Sequence, residues 1–151
     1  MSFLVGDSGY QDDADMTLHV HLRAMTNPNS SRQPASSFRQ LDVWALAMDL
    51  VMDVYSLSAL FPRDERFGLT AQVRRAAVSI PANIAEGKAR FGQGEYRRFI
   101  SIALGSVAEL QTELEIAERL KFVSAEQLAA TREKLHHVGP MLTNLAKRLS
   151  T

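Results

Sequence analysis

From Leu69 to Gly87 the apolar residues Leu69, Val73, Ala76, Ala77, Ile80 and Ile84 recur at steps of three and four, which places them on one face of a 3.6-residue helix. A second, wholly polar stripe made of Gln72, Arg75, Ser79, Asn83 and Glu86 runs along the same segment. Gly87 stands where a left-handed C-cap is expected. Pro81, inside the pattern, removes the bond to the carbonyl of Ala77 and predicts a kink.

Three other segments carry the same period. The first begins at Phe38 and has two adjacent stripes, Leu41, Trp44, Met48, Val51 and Tyr55 beside Val43, Ala47, Leu50, Val54 and Leu57, so its apolar face is broad. It must end before Pro62, because proline restricts the preceding residue and donates no hydrogen bond. After the Leu69 helix, Tyr96, Ile100, Ala103, Val107, Leu110, Leu114 and Ala117 alternate steps of four and three, the pattern of a helix-packing seam. The last opens at Ser124, with Gln127 completing a capping box, and continues through Leu128, Thr131, Leu135, Val138, Leu142, Leu145 and Leu149.

No segment reads as a strand bounded by hairpin turns. Connections near 88–94 and 121–124 are too short for crossovers, so the expectation is an all-α fold, an antiparallel up-down-up-down four-helix bundle over 38–151. A hairpin about residue 91 brings Ala76 and Ala77 near Gly105, where close backbone approach offsets the cost of glycine in a helix. Residues 1–37, rich in Gly, Asp, Ser, Asn and Pro without sustained periodicity, predict a disordered tail.

Seventeen basic and seventeen acidic residues give no bulk attraction toward nucleic acid or anionic lipid. Cysteine is absent, which excludes disulfides and thiolate chemistry. No run approaches the length of a membrane span and no secretory leader is evident, so the expectation is a cytoplasmic protein without a membrane partner.

Candidate chemistry is sparse. Glu133 and His136 have the Glu-x-x-His spacing of di-iron bundles, but the other three helical segments contain no histidine, and His19 and His21 fall in the tail. Ser79, Ser101 and Ser106 lie in helix interiors, and the Gly92–Gly94 GQG is too short for a phosphate-binding loop. No metal, cofactor or catalytic residue is assigned, and the expectation is a non-enzyme.

Charge placement says more than charge count. In an up-down bundle one end collects Arg39, Lys88, Arg90, Arg97, Arg98, Lys147 and Arg148 against Asp42, Glu86 and Glu95, a basic rim, while Glu109, Glu113, Glu115 and Glu118 make the far half of the third helix acidic. The rim is either a phosphate-contacting surface or a set of solvated helix ends. Gln72, Arg75, Ser79, Asn83 and Glu86 read as a helix or subunit interface, with Glu86 near Arg97 or Arg98 and Arg74 or Arg75 near Glu109 as inter-helix ion pairs.

RRAAVSIPANIAEG in the second helix, FRQLDVW at the start of the first and ALGSVAEL in the third resemble the bacterial four-helix proteins encoded by intervening sequences within large-subunit ribosomal RNA genes. The accessory variability determinant of diversity-generating retroelements is part of that group. The likeness runs from about Phe38 to about Leu149. It implies a non-enzymatic ring, usually a homopentamer, and, for the retroelement proteins, binding of RNA or DNA and of a reverse transcriptase through a basic surface. A purely structural or scaffolding homo-oligomer with protein partners only is the alternative. Gly92 stands where members of the group commonly carry a serine.

Overall fold

The structure, a computed structural model, describes residues 37–150. The expected tail therefore lies outside the described residues apart from Ser37, whose hydroxyl accepts the Arg39 amide and caps a short 3-10 turn, Phe38–Gln40. Four α-helices follow: α1, Asp42–Ser58; α2, Leu69–Ala89; α3, Gln93–Arg119; and α4, Ala125–Arg148. A second 3-10 turn, Arg63–Phe67, joins α1 to α2. Among the described residues there is no strand.

Each helix packs on two others, α1 on α2, α2 on α3, α3 on α4 and α4 on α1, with the α2–α3 pairing the most extensive. The enclosed core includes Leu50, Val54, Val73, Ile80, Ile84, Ile100, Leu110, Leu128, Leu135 and Leu142, all fully or almost fully buried. Burial of each such side chain stabilises the fold by about 1.5–3 kcal/mol. On α1 the two expected stripes separate. Val43, Ala47, Leu50, Val54 and Leu57 are buried, whereas Met48 and Tyr55 are exposed and Leu41, Trp44 and Val51 only partly covered. A helix with two neighbours on one side can bury only the stripe between them.

The capping box of α4 is formed as expected: Ser124 Oγ accepts the Gln127 amide at 3.2 Å and Gln127 Oε1 accepts the Ser124 amide at 2.8 Å. At the start of α2 a side chain does similar work from outside the helix, since Glu65 Oε2 accepts the Leu69 amide at 2.9 Å.

The glycine expectations are corrected. Gly105 is exposed, and a Cβ built there meets nothing within 4 Å, so it does not serve close packing against Ala76 and Ala77. Gly87 is not a left-handed cap, because α2 continues to Ala89 and the only positive φ angles among the described residues are at Gly92 (95°) and Lys121 (61°). Close approach falls at Gly87 instead, where an added Cβ would stand 2.7 Å from Phe99 Cβ and 2.9 Å from Tyr96 Cδ2.

Candidate functional site

The α2–α3 connection is three residues long, 90–92. Below it, Gly87 lets the two helices meet over the buried rings of Tyr96 and Phe99. Those rings gather cations: Lys88 Nζ lies 5.6 Å from the Tyr96 ring centre, and the guanidinium groups of Arg90 and Arg98 lie 5.5 and 4.6 Å from that of Phe99. Such contacts contribute about 0.5–1 kcal/mol each at exposed sites. Two carboxylates temper the charge. Glu86 holds Arg90 at 2.5 Å, and its hydrogen bond raises the Arg90 pKa further above its ordinary value; Glu95 holds Arg98 at 3.3 Å. Arg97 is exposed and has no ion-pair partner among the described residues.

The expected inter-helix ion pairs do not form. Glu86 reaches Arg90, the residue just past the end of its own helix, rather than Arg97 or Arg98, the partner four residues on being closer at hand. Arg74 turns toward α1, where its Nε donates to Ser58 Oγ at 2.8 Å and its guanidinium covers Tyr55 at 4.7 Å, and neither it nor Arg75 pairs with Glu109.

The remaining basic residues fall into separate surroundings. Arg39 lies over Phe38 at 4.8 Å, and that ring packs edge-on against Trp44 at 5.2 Å, in the turn that touches α1 and α2. Arg148 lines a recess with Gln40, Leu41, Asp42 and Val43. Lys147 lines a groove between α3 and α4 with Leu104, Ala108 and His136. Thus Lys88, Arg90 and Arg98 are gathered by shared rings, whereas Lys147 and Arg148 belong to other clefts.

Along the polar stripe of α2, Asn83 Nδ2 donates to the Ser79 carbonyl and hydroxyl at 2.8 and 2.9 Å, and Ser79 Oγ lies 2.8 Å from Ser106 Oγ on α3. Ser106 in turn bonds the Ile102 carbonyl at 3.2 Å. Gln72, Arg75 and Glu86 are exposed.

Two features lie outside the sequence expectations, the burial of Glu113 and the exposure of Phe91. Glu113 is only 6% exposed, and its Oε2 has no hydrogen-bond partner. Desolvation, with repulsion from Glu109, pushes its carboxyl up to about 7, and the attraction of Arg75 offsets this only in part. The signal was a heptad, Phe99, Ser106 and Glu113, which shares one flank of α3. Phe91 is the second. Its ring is 98% exposed at the tip of the loop and forgoes the roughly 1.5–3 kcal/mol that burying a phenylalanine provides. An aromatic between Arg90 and a glycine pair was the cue.

Among the described residues no three His, Cys, Asp or Glu side chains cluster as metal ligands, and Glu133 and His136 are exposed. No described helix is long and apolar enough to cross a membrane. The expectation for His19 and His21 falls outside the described residues.

The family model of the 23S rRNA-intervening sequence protein matches residues 39–144. A solved structure from Bacteroides thetaiotaomicron, described as a protein with unknown function from the S23 ribosomal protein family, aligns with a TM-score of 0.65 at 21% identity, covering 70% of this chain and 98% of that one. At that identity the likeness is one of fold. No curated protein matches the sequence.

Proposed function

Because the chain belongs to the 23S rRNA-intervening sequence protein family, matched over residues 39–144, we propose that it is a non-enzymatic, oligomeric helical bundle that associates with RNA or DNA through a basic end. The observation that carries this reading is the gathering of Lys88, Arg90 and Arg98 around Tyr96 and Phe99, beside an exposed Arg97 without an ion-pair partner among the described residues. An up-down-up-down arrangement is supported by the contacts Arg74 to Ser58, Ser79 to Ser106 and Arg132 to Glu115 and Glu118, each joining two consecutive helices across their connection. In that arrangement the rim is positive while Glu109, Glu113 and Glu115 lie toward the other end, which reconciles a neutral chain with a local phosphate-binding surface. A ring-shaped homo-oligomer, a pentamer by resemblance to the family, would repeat the rim around its axis, and a reverse transcriptase is the protein partner that resemblance to the retroelement accessory proteins suggests. A cytoplasmic location fits this role.

The test is fluorescence anisotropy of a labelled RNA hairpin at low salt. Arg97→Glu combined with Arg98→Glu is expected to weaken binding on the order of tenfold or more and to flatten its salt dependence. Absence of binding, or binding indifferent to both reversals, would remove the proposal. A second reading, a scaffolding homo-oligomer with protein partners only, is favoured by exposed Met48, Met52, Tyr55 and Val78, apolar residues on α1 and α2 near the Arg74–Tyr55 contact. Light scattering that found a monomer at micromolar concentration would sink it.

A further inference from the structure

The chain places two phenylalanines almost wholly in solvent, one at each end of α2: Phe67, 88% exposed, and Phe91, 98% exposed. Their surroundings differ. The Arg66 guanidinium lies 5.4 Å from the centre of the Phe67 ring, so one face of that ring is already taken, and Asp64 and Glu65 share its turn. Among the described residues no cation and no second ring lies on Phe91; the neighbouring Arg90 and Arg98 turn inward over Phe99 instead. Nor is Phe91 on a long loose loop. α2 ends at Ala89 and α3 begins at Gln93. Arg90 is extended, and Gly92 takes a positive φ that most residues avoid. Beneath them the Gly87 contact with Tyr96 and Phe99 fixes the two helices. A Cβ built on Gly92 or Gly94 meets nothing within 4 Å, so space beside the ring is open.

An aromatic ring with both faces open, carried on a short connection and flanked by Lys88, Arg90, Arg97 and Arg98, is the composition of a single-strand binder. Cations follow the phosphates while a base stacks on the ring, and stacking is tolerant of sequence because every base has a π-face. A base inside a duplex has both faces covered by its neighbours and cannot use such a ring without being unstacked. We propose that Phe91 is a base-stacking platform, so that the basic end selects unpaired nucleotides of a single strand over a duplex. This rests on the nucleic-acid reading above and narrows its ligand class.

The experiment compares the full chain with Phe91→Ala, Phe91→Trp and Phe67→Ala. The probes are a labelled RNA single strand of about 12 nucleotides, the DNA single strand of the same sequence, and the RNA annealed to its complement. The Phe91→Ala variant is expected to bind both single strands about 5- to 100-fold more weakly, with duplex binding changed less than about twofold. Phe91→Trp is expected to retain single-strand binding, and Phe67→Ala to leave all three unchanged. A 2-aminopurine placed in the single strand is expected to change its fluorescence on binding the parent and not on binding Phe91→Ala. If the chain binds all three probes and Phe91→Ala weakens none, or weakens single strand and duplex alike, the stacking role is overturned while the basic rim stands. If nothing binds, both proposals fall together. A Phe91→Ala variant that changes the oligomer mass in light scattering, with nucleic-acid affinity intact, would make the loop a protein contact and overturn the inference.

Discussion

The α2–α3 pair is built differently at its two ends. Near the connection, Gly87 removes a side chain, the helices close on Tyr96 and Phe99, and the surrounding charge is cationic. Toward the other end of the same pair, Glu113 is buried with an oxygen that has no partner, Glu109 is one turn away, and Arg75 is too distant for an ion pair. One end gains stability from contact and leaves Phe91 and Arg97 facing outward. Each end leaves one buried polar atom without a partner, Tyr96 Oη at the first and Glu113 Oε2 at the second, at a cost in stability, and they differ in that the second belongs to a carboxyl pushed up to about 7. One helix pair therefore carries a close-packed, cation-rich end and, at the other, a proton-sensitive carboxyl.

The sharpest way to break the contrast is to spoil the tight end. Gly87→Leu places a Cβ against Phe99 Cβ and Tyr96 Cδ2, atoms close to the α3 backbone that cannot swing away. Overpacking of this kind is expected to cost about 3 kcal/mol, read as a lower urea midpoint at unchanged slope. Gly105→Ala is the control, since a Cβ there meets nothing within 4 Å; it should stabilise by about 1 kcal/mol through helix propensity alone. Equal effects at the two positions would contradict the difference in packing.

The acidic end is tested with protons. The Glu113 carboxyl is pushed up to about 7 by burial, against about 4.3 in the unfolded chain. A raised acid binds its proton more tightly when folded. Its contribution is therefore complete below about pH 4.3, falls as pH rises toward about 7, and stays lost above that, a decline on the order of 2 kcal/mol. Glu113→Gln is expected to remove that decline and to be the more stable form at pH 8. Urea midpoints at pH 5 and pH 8 for both proteins decide it, and identical pH dependence would acquit the carboxyl.

Helix positions and most of the core were legible because each depends on short-range periodicity. The seam from Tyr96 to Ala117 and the capping box at Ser124 need nothing beyond their own residues. What needed three dimensions was the direction taken by groups on a flank. Gly87 and Gly105 are alike in sequence, and only the packing of α3 tells which of them meets a neighbour. Arg74 faced a choice between Glu109 and α1 and took Ser58 and Tyr55. Glu113 belongs by charge to the acidic half of α3, although its spacing puts it on the flank shared by Phe99 and Ser106, which meets α2. The basic residues followed the same rule: Lys88, Arg90 and Arg98 converge through aromatic rings at Tyr96 and Phe99, and Lys147 departs into a groove that no local pattern marks.

Between the two ends lies a smaller test. If Ser106 donates to the Ile102 carbonyl, then Ser79 donates to Ser106, and Asn83 donates to Ser79, so the three groups form a directed chain across the α2–α3 contact. Ser79→Ala and Ser106→Ala should each cost about 1 kcal/mol, and the double variant little more than either alone, because removal of one partner already breaks the cross-helix bond. A coupling of about 0.5–1 kcal/mol in the double-mutant cycle is the expected reading. Asn83→Leu sharpens the point. If the amide serves the contact within one chain, unfolding midpoints fall and the mass in light scattering is unchanged. A changed mass at constant stability would move Asn83 to a subunit interface, and the middle of the hairpin would then be the part of the molecule that faces another copy.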